Sequence, residues 1–346
     1  MASFNPADIS TEILKDKVVV LTGGASGIGA ATATLFHSLG AKVIFGDVNS
    51  LNGNRLVESL VKKIPSSDDP GVHFLQCDVR SYADNLALFK AAMDKYGRVD
   101  HAVANAGVPE RGTWFDPGLG IEGVKEDPGD PVTLDINLKA VVLFARIACQ
   151  YFAHGNEMAK EDKSIVLVSS LGGFIEFPGM RIYQTAKHGV MGLMRSLRTT
   201  SLTVFHRLRV NAVCPGVTRT PMTKPFSHAW AAHGFAINEP EHVAEVMVAL
   251  CAAGPGCNCL LAPAEEALAG KGPASVAQAM KRWNVESDGV HGRAMAIDGG
   301  KSWEVEQGLE LTRPIWMSEE SANLLIKGQE VAERIAEMFA AGREMV

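Results

Sequence analysis

The chain has 346 residues, of which 47% are hydrophobic and 21% charged, and its formal net charge is −6 at pH 7. These proportions are those of a folded globular protein and exclude a largely disordered chain or a disulfide-stapled scaffold. The acidic balance, without any block of basic residues, argues against nucleic acid or an anionic membrane as the main partner.

The cysteines and the N-terminal sequence indicate a reducing compartment. The first sixteen residues lack the basic start and apolar stretch of a secretory signal, and no apolar run approaches the ~18 residues of a membrane span. No four-ligand spacing with His appears, so no metal is expected. We therefore expect a cytoplasmic protein without a membrane partner, whose scattered cysteines are reduced thiols: Cys77, Cys149, Cys214, Cys251, Cys257 and Cys259.

Short apolar runs alternate with helix-length segments along most of the chain. The strands are continuous runs of Val, Ile and Leu, which is typical of a parallel sheet covered on both faces. The alternation predicts an α/β fold, a single doubly wound parallel sheet of about seven strands with helices on both faces. The predicted strands are 17–22, 42–47, 72–77, 99–104, 164–169, 208–213 and 292–298, and the predicted helices are 27–39, 51–63, 81–96, 132–154, 183–205 and 240–252.

Three segments interrupt this alternation. Residues 108–131 are rich in Gly, Pro and acid, which predicts a surface loop. Residues 254–291 form an Ala-, Gly- and Pro-rich insertion before the last strand, expected at the end of the sheet opposite a ligand crevice. Residues 301–346 predict a helical C-terminal extension, since apolar residues recur there at helical spacing. One domain over 1–300, followed by this extension, is therefore expected.

The first long strand ends in a glycine-rich loop, TGGASGIG at 22–29, that runs into a helix. Glycines at 23, 27 and 29 let the backbone approach a pyrophosphate, and the following helix N-terminus supplies N–H groups for that anion. A plain tight turn is the alternative explanation. The strand–turn–helix context favours a nucleotide site.

An acidic residue, Asp47, ends the next strand, 18 residues after Gly29 and close to the ~20 residues expected of a ribose-binding acid. A carboxylate there accepts hydrogen bonds from ribose hydroxyls and repels a 2′-phosphate. A turn or helix-capping role is the alternative, given Asn49 and Ser50 nearby. Because the glycine loop holds no Arg or Lys, Asp47 favours NAD over NADP.

Tyr183 and Lys187 lie four residues apart in a predicted helix, so both side chains share one helical face. A nearby ammonium lowers the pKa of a tyrosine and makes it usable as an acid or base. Ser170, at a strand end, is placed to hold a substrate oxygen. By itself, the spacing of Tyr183 and Lys187 could arise by chance. Ser170 by itself could be an ordinary polar residue at the end of a strand.

In combination, these features resemble the short-chain dehydrogenase/reductase family over about residues 15–300, which implies a Rossmann-like fold. Ala104 departs from the family pattern, which usually has Asn there. Segments 163–173, 186–198 and 209–216 are similar to the 15-hydroxyprostaglandin-dehydrogenase-like branch, whose fungal members often act on secondary metabolites. The matching motifs in order are 22–29, Asp47, Asp78-Val79, Asn105-Ala106-Gly107, Asn137, Ser170, Tyr183-x-x-x-Lys187 and 215–220.

The resemblance implies a role for each matched residue. Tyr183 would be the general base or acid, Lys187 would lower its pKa and bind the nicotinamide ribose, and Ser170 would orient the reacting oxygen. Asn137 would hold a water linking Lys187 to solvent. With Tyr183 and Lys187, the implied cofactor-binding residues are Gly23, Ser26, Gly27, Ile28, Gly29, Asp47, Val48, Asp78, Val79, Asn105, Ala106, Gly107, Pro215, Gly216, Val217 and Thr220.

The sequence therefore predicts an NAD-dependent oxidoreductase that interconverts a secondary alcohol and a ketone in secondary metabolism, with oxidation favoured. A non-redox isomerase or cyclase using the same cleft is the alternative, and a non-catalytic binding protein ranks last because the glycine loop is intact. Apolar residues on loops near the site favour a bulky apolar or aromatic small molecule, unless they pack beneath their own loops. They are Trp114, Phe115, Phe174, Phe177, Pro178, Met180, Met222, Phe226, Trp230 and Phe235.

Helices 132–154 and 183–205 correspond to the surfaces through which family members usually form dimers. The resemblance therefore implies a homodimer or homotetramer. The apolar residues involved are equally compatible with a core-facing position: Val141, Val142, Phe144, Ala145, Met191, Met194 and Leu197.

Overall fold

The strands form one mixed sheet in the computed structural model, which describes residues 3–62, 69–112, 114–129, 131–154, 161–255, 257, 290–306 and 309. Within these residues the sheet has nine strands in the order β1-β9-β8-β7-β6-β5-β2-β3-β4. Seven of them, β2 to β8, are parallel, which confirms the predicted doubly wound parallel sheet. The strands are β1 Ser3–Phe4, β2 Val18–Thr22, β3 Lys42–Asp47, β4 Val72–Gln76, β5 His101–Ala104, β6 Lys163–Val168, β7 Leu208–Pro215, β8 Ala294–Asp298 and β9 Lys301–Glu304.

Helices cover both faces of this sheet, as expected. In the described residues they are α1 Gly27–Ser38, α2 Ser50–Val61, α3 Tyr82–Tyr96, α4 Gly120–Gly123, α5 Val132–Leu134, α6 Ala140–Ala153, α7 Arg181–Leu197, α8 Ser201–Val204, α9 Lys224–Ala232 and α10 Pro240–Ala252. Helices α1, α2 and α10 pack on one face, and α3, α6 and α7 on the other. Each face thus has its own hydrophobic core, the first beneath α1, α2 and α10 and the second beneath α3, α6 and α7. Because side chains alternate along a strand, Val19 and Leu21 point into the first core, whereas Val18 and Val20 point into the second. Burial on both faces explains why the strands are continuously apolar.

The helix predicted over 132–154 is interrupted near its start. A π-helical turn, Asp135–Lys139, separates α5 from α6 and contains Asn137. Such turns are frequent at functional sites, and their widened hydrogen-bond pattern redirects a side chain. The helix predicted over 183–205 instead begins at Arg181 and stops at Leu197, before the separate short α8.

The apolar residues considered for an oligomer contact are mostly buried within the chain itself. Val141 and Phe144 of α6 pack in the second core with Met191 and Met194 of α7. Val142 differs, because 40% of its surface is exposed. The core-facing interpretation therefore holds for most of this set.

Two strands at one edge of the sheet were not predicted. β9, placed by the sequence in the helical extension, pairs antiparallel with β8, and β1 pairs antiparallel with β9. The Ser302 hydroxyl donates to the carbonyl oxygen of Phe4 at 2.5 Å. The sequence did contain one signal for this hairpin, the Gly299-Gly300 pair. Both glycines have positive φ angles and form the two-residue turn between β8 and β9.

Parts of two sequence expectations fall outside the described residues. For the insertion predicted over 254–291, residues 256 and 258–289 lie outside them. For the extension predicted over 301–346, residues 307–308 and 310–346 lie outside them. Four cysteines are free and buried, as expected: Cys77, Cys149, Cys214 and Cys251. Cys257 is disulfide-bonded, so the expectation of a reduced thiol is wrong at that position.

A buried carboxylate, Asp100, joins three elements at the amino end of β5. It accepts a hydrogen bond from the backbone N–H of Val18 at 2.9 Å and pairs with Arg98 and with the Lys163 ammonium, the latter at 2.9 Å. Burial alone would raise its pKa, but the hydrogen bonds from Arg98 and the charge of Lys163 hold the pKa of Asp100 well below its ordinary value.

We expect Asp100→Asn to lower the free energy of unfolding by about 3–5 kcal/mol, because it leaves the buried Lys163 ammonium without its closest carboxylate. Since the folded-state pKa is depressed, the stabilisation is present at neutral pH and is lost as the pH falls below ~4. Urea unfolding at several pH values measures both effects. Glu122→Gln, in an exposed pair with Lys125, is the matched control and should change little. An equal loss in both variants would contradict the argument.

Candidate active site

A cleft opens where strands β2 to β7 end, on their carboxyl side. Ligands of doubly wound sheets bind in this position, near the point at which the strand order reverses. In the described part of the chain it is lined by Gly23, Ser26, Gly27, Ile28, Gly29, Asp47, Val48, Cys77, Asp78, Val79, Asn105, Ala106, Gly107, Val108, Ile136, Val168, Ser169, Ser170, Tyr183, Lys187, Pro215, Gly216, Thr218, Thr220, Pro221, Met222 and Thr223.

The glycine loop between β2 and α1 forms one wall of the cleft and leaves no space for side chains. A Cβ added at Gly29 would lie 2.0 Å from the carbonyl oxygen of Gly23 and 2.6 Å from Asn105 Nδ2. Gly27 has a φ of +50°, a conformation that residues with a Cβ rarely adopt. Asn105 Nδ2 donates to the carbonyls of Thr22 and Gly23, which fixes the loop against β5.

The N-terminus of α1 lies in this loop, and its first backbone N–H groups have no capping side chain. Ser26 is its N-cap residue, yet the Ser26 side chain makes no capping hydrogen bond. The first N–H groups of the helix are thus available to an anion, where the helix dipole also favours negative charge. Together with the tight glycine cradle, these donors fit the pyrophosphate of a dinucleotide.

Asp47 lies at the opposite side of the loop, at the end of β3. Its Oδ2 accepts from the Ala25 N–H at 3.1 Å and its Oδ1 from the Asn49 N–H at 2.9 Å. Asn49, rather than Asp47, caps α2 through a hydrogen bond with the Asn52 N–H. Asp47 therefore joins the glycine loop to the start of α2, which is the turn-forming role considered from the sequence. Asp47 also lines the cleft, so the two roles occur together.

Ser170, Tyr183 and Lys187 converge at the other end of the cleft. The Ser170 hydroxyl accepts from the Gly172 N–H at 3.1 Å and donates to the carbonyl oxygen of Pro215 at 3.4 Å, and both Ser170 and Tyr183 line this end of the cleft. Lys187 Nζ lies 5.6 Å from the centre of the Tyr183 ring and donates to the carbonyl oxygen of Val168 at 2.9 Å. The last residue of β6 thus holds the ammonium of Lys187, and Ser170 follows that strand by two residues.

Burial controls the protonation of this pair. It lowers the pKa of Lys187 to about 8 and raises the pKa of Tyr183, while the nearby Ser170 hydroxyl lowers the latter in part. The direction for Tyr183 is opposite to the sequence expectation. The physical reason is that the surrounding protein removes water from the half-buried phenol and the Lys187 ammonium is directed to Val168.

Asn137 lies behind the cleft and not on its wall. Its side chain is fully buried, with Oδ1 accepting from the Val108 N–H and Nδ2 donating to the Val108 carbonyl, both at 2.8 Å. It therefore holds the backbone of Val108, a role that the sequence did not predict. The water relay from Lys187 to solvent stays a prediction.

All the other residues predicted for the site line the cleft, except Val217. The carbonyl oxygen of Val217 accepts from the Asn238 N–H at 2.8 Å, which draws this residue into the following loop. Its neighbour Thr218 lines the cleft instead, as do Val108 and Cys77, none of which was predicted from the sequence. The signal for Thr218 and Val108 was their position within or next to matched motifs.

The aromatic residues expected around a substrate are only partly near the cleft. Met222 lines it, whereas Trp230 and Phe235 contact each other with ring centres 4.7 Å apart, and Phe174 lies 5.9 Å from the Arg195 guanidinium. For these three aromatic residues, packing within the loops is the better description. In the ranges that the structure describes, no group of three or more His, Cys, Asp or Glu side chains is arranged to hold a metal ion. No described helix is both long and apolar enough to cross a membrane.

Comparisons with known proteins agree with this geometry. The family model for short chain dehydrogenases matches residues 17–230. Short-chain dehydrogenase/reductase ascJ of Acremonium egyptiacum is 37% identical over 252 residues, 73% of this chain and 79% of that protein. Short-chain dehydrogenase/reductase prx4 of Penicillium roqueforti is 30% identical over 336 residues, 96% of this chain and 90% of that protein.

A solved structure shows the same fold. 3-Ketoacyl-(acyl-carrier-protein) reductase from Brucella melitensis, complexed with NADH, superposes with a TM-score of 0.60. The match covers 83% of this chain and 98% of that chain at 24% identity.

Proposed function

The chain is an oxidoreductase of the short-chain dehydrogenase/reductase family, and from that premise we propose that it uses NAD to interconvert a secondary alcohol and a ketone. The observation that carries the proposal is the convergence of Ser170, Tyr183 and Lys187 at one end of a cleft whose other end holds Asp47. We also propose that oxidation is the favoured direction, that the protein is a cytoplasmic homodimer or homotetramer, and that it belongs to the 15-hydroxyprostaglandin-dehydrogenase-like branch.

The charges that line the cleft support NAD as the cofactor. Lys187 is the one Lys or Arg among the described lining residues, and it lies at the Tyr183 end. The other end presents the carboxylates of Asp47 and Asp78, and the nearby Arg80 guanidinium is held by Asp78. A 2′-phosphate on the adenosine ribose would meet Asp47 without a cation to offset its charge, which disfavours NADP. The NADH in the related Brucella structure supports a nicotinamide cofactor in general.

The mechanism follows from what these side chains can do. The Tyr183 oxygen accepts the proton of the substrate hydroxyl as the base, and Ser170 donates a hydrogen bond to the same substrate oxygen. Lys187, next to Tyr183, would bind the hydroxyls of the nicotinamide ribose, and its positive charge would offset part of the burial that raises the pKa of Tyr183. Bound NAD supplies the acceptor for the hydride that leaves the alcohol carbon. The chain contributes alignment and the placing of charge.

The loops beside the cleft support a bulky apolar or aromatic substrate. Several large apolar side chains are exposed on the three segments that leave the carboxyl ends of β5, β6 and β7, the edge of the sheet at which ligands of this fold bind. The relatives ascJ and prx4 are fungal, and fungal members of the proposed branch often act on secondary metabolites, which supports that role here. The exposed residues are Phe115, Ile121, Val124, Ile175 and Met222.

Titration of the purified protein with NAD⁺ and with NADP⁺, followed by a panel of secondary alcohols, tests the proposal. We expect NAD⁺ to bind much more tightly than NADP⁺, and NADH to form with large apolar or aromatic alcohols faster than with small polar ones. Binding of neither nucleotide would overturn the dehydrogenase proposal in favour of a non-redox use of the cleft. Light scattering of the same sample decides the oligomeric state.

Asp47→Ala is expected to weaken NAD⁺ binding by roughly ten- to a hundredfold, the effect of losing hydrogen bonds to a charged acceptor. The affinity for NADP⁺ should fall less or rise, because the repulsion of the 2′-phosphate is removed. Calorimetric titration with both nucleotides measures the change. Asp94→Ala, an exposed acid on α3, is the control. An unchanged ratio of the two affinities would show that Asp47 does not select the cofactor.

A further inference from the structure

Helix α7, which carries Tyr183 and Lys187, begins without a cap of its own. Its N-cap residue is Met180, whose side chain makes no capping hydrogen bond. The first N–H groups of a helix have no acceptor within that helix and need one from elsewhere. Tyr183 is the third residue of α7, so its backbone belongs to this exposed first turn.

The missing acceptor comes from a residue far away in the sequence. Glu110 Oε1 accepts from the Ile182 N–H at 3.1 Å, and Oε2 accepts from the Tyr183 N–H at 2.6 Å. Both oxygens of one carboxylate are therefore bonded to consecutive amides at the positive end of the helix dipole. Hydrogen bonds with an ionised acceptor are roughly twice as strong as those between neutral groups.

Glu110 is held in place by its neighbours in the loop after β5. Val108 is bonded through both its N–H and its carbonyl to Asn137. The Arg111 N–H is bonded to the Thr133 hydroxyl, which in turn reaches the carbonyl of Pro109. Residues 108–111 thus connect the π-helical turn of Asn137 to the first turn of α7.

We propose that Glu110 is a positioning residue for Tyr183. It fixes the backbone of the tyrosine so that the phenol meets Ser170, whereas Lys187, one turn further along, is anchored separately by the carbonyl of Val168. Without the carboxylate, the first turn of α7 frays, and the Tyr183 hydroxyl moves relative to both Ser170 and Lys187. This inference rests on the proposed function for its effect on the reaction, but the contact itself does not.

Amide hydrogen exchange tests the contact without any need for activity. In Glu110→Ala, the Ile182 and Tyr183 amides should exchange at least roughly tenfold faster than in the wild-type protein, because they lose their acceptor. Glu110→Gln keeps one carbonyl oxygen and should give an intermediate rate. Glu126→Ala, an exposed acid on the same loop, is the matched control. Unchanged exchange in Glu110→Ala would overturn the proposal.

Steady-state kinetics test the consequence for catalysis. We expect Glu110→Ala to lower kcat by roughly ten- to a hundredfold, the scale of a displacement of about an ångström, and Glu110→Gln to recover part of it. The KM for NAD⁺ should change less than about twofold, because the glycine loop and Asp47 are untouched. A purely structural role would instead reduce the amount of folded enzyme and leave the kcat per folded molecule unchanged, which would contradict the proposal. An inactive wild-type protein would defeat the proposed function, while the exchange rates would still decide whether Glu110 holds Tyr183.

Discussion

Tyr183→Phe is expected to lower kcat for alcohol oxidation by roughly 10²- to 10⁴-fold, the range for removal of a positioned general acid or base. The change deletes one oxygen from a half-buried ring and leaves the ring beside the Lys187 ammonium. The affinity for NAD⁺ should stay within about threefold, because the hydrogen-bonding groups of the glycine loop and Asp47 are unaffected. NADH formation at saturating substrate, together with a nucleotide titration, measures both quantities.

A second tyrosine provides the control for this substitution. Tyr82 of α3 is 41% exposed and lies against Arg146, outside the cleft. Tyr82→Phe should retain the wild-type kcat. If Tyr183→Phe kept more than about a tenth of the activity, another group would have to move the proton, and the assigned base would be wrong.

Gly29→Ala is expected to disable the cofactor cleft. The new methyl group would fall 2.0 Å from the Gly23 carbonyl oxygen, a distance at which the loop must shift because both partners are backbone or closely held. The movement would also break the bonds by which Asn105 fixes the loop. We expect the affinity for NAD⁺ to fall at least about a hundredfold, and the free energy of unfolding to fall by about 1–3 kcal/mol.

Another helical glycine separates this steric effect from the general effect of replacing glycine. A Cβ at Gly192, in α7, would meet no atom within 4 Å. Gly192→Ala should therefore stabilise the protein by about 0.5–1 kcal/mol, since alanine loses less backbone entropy in a helix. Nucleotide titration and urea unfolding of the two variants give the comparison. Equal behaviour of both would refute the proposed clash at Gly29.

The parts of the molecule that could be predicted are those determined by local pattern. The seven parallel strands are short apolar runs, and the turn at 22–29 has the glycine-rich composition of a nucleotide-binding loop. In the strands, in this loop and in the Tyr183–Lys187 pair, the residues that carry the signal are adjacent or lie one helical turn apart. Ser170 was found because its place in the order of motifs matches a family pattern.

The features that were missed depend on contacts between distant residues. Glu110 looks like one more acid in a polar loop, and only the fold brings it to the first turn of α7. The hydrogen bonds between Asn137 and Val108 likewise depend on the fold, which brings these residues together. The raised pKa of Tyr183 follows from its burial. Strand β1 has two residues, too few for any periodic signal, and forms only because β9 offers it an edge.

The pairing of β1 with β9 has a consequence for the order of events during synthesis. Ser3 and Phe4 leave the ribosome about 300 positions before their partners, Trp303 and Ser302. The growing polypeptide therefore carries β1 unpaired while β2 to β8 assemble, and the flank of β8 stays uncovered until β9 has been made. An uncovered flank of this kind is a template for aberrant association with other nascent chains. This edge of the sheet is thus completed only after β9 has been made and β1 can pair with it.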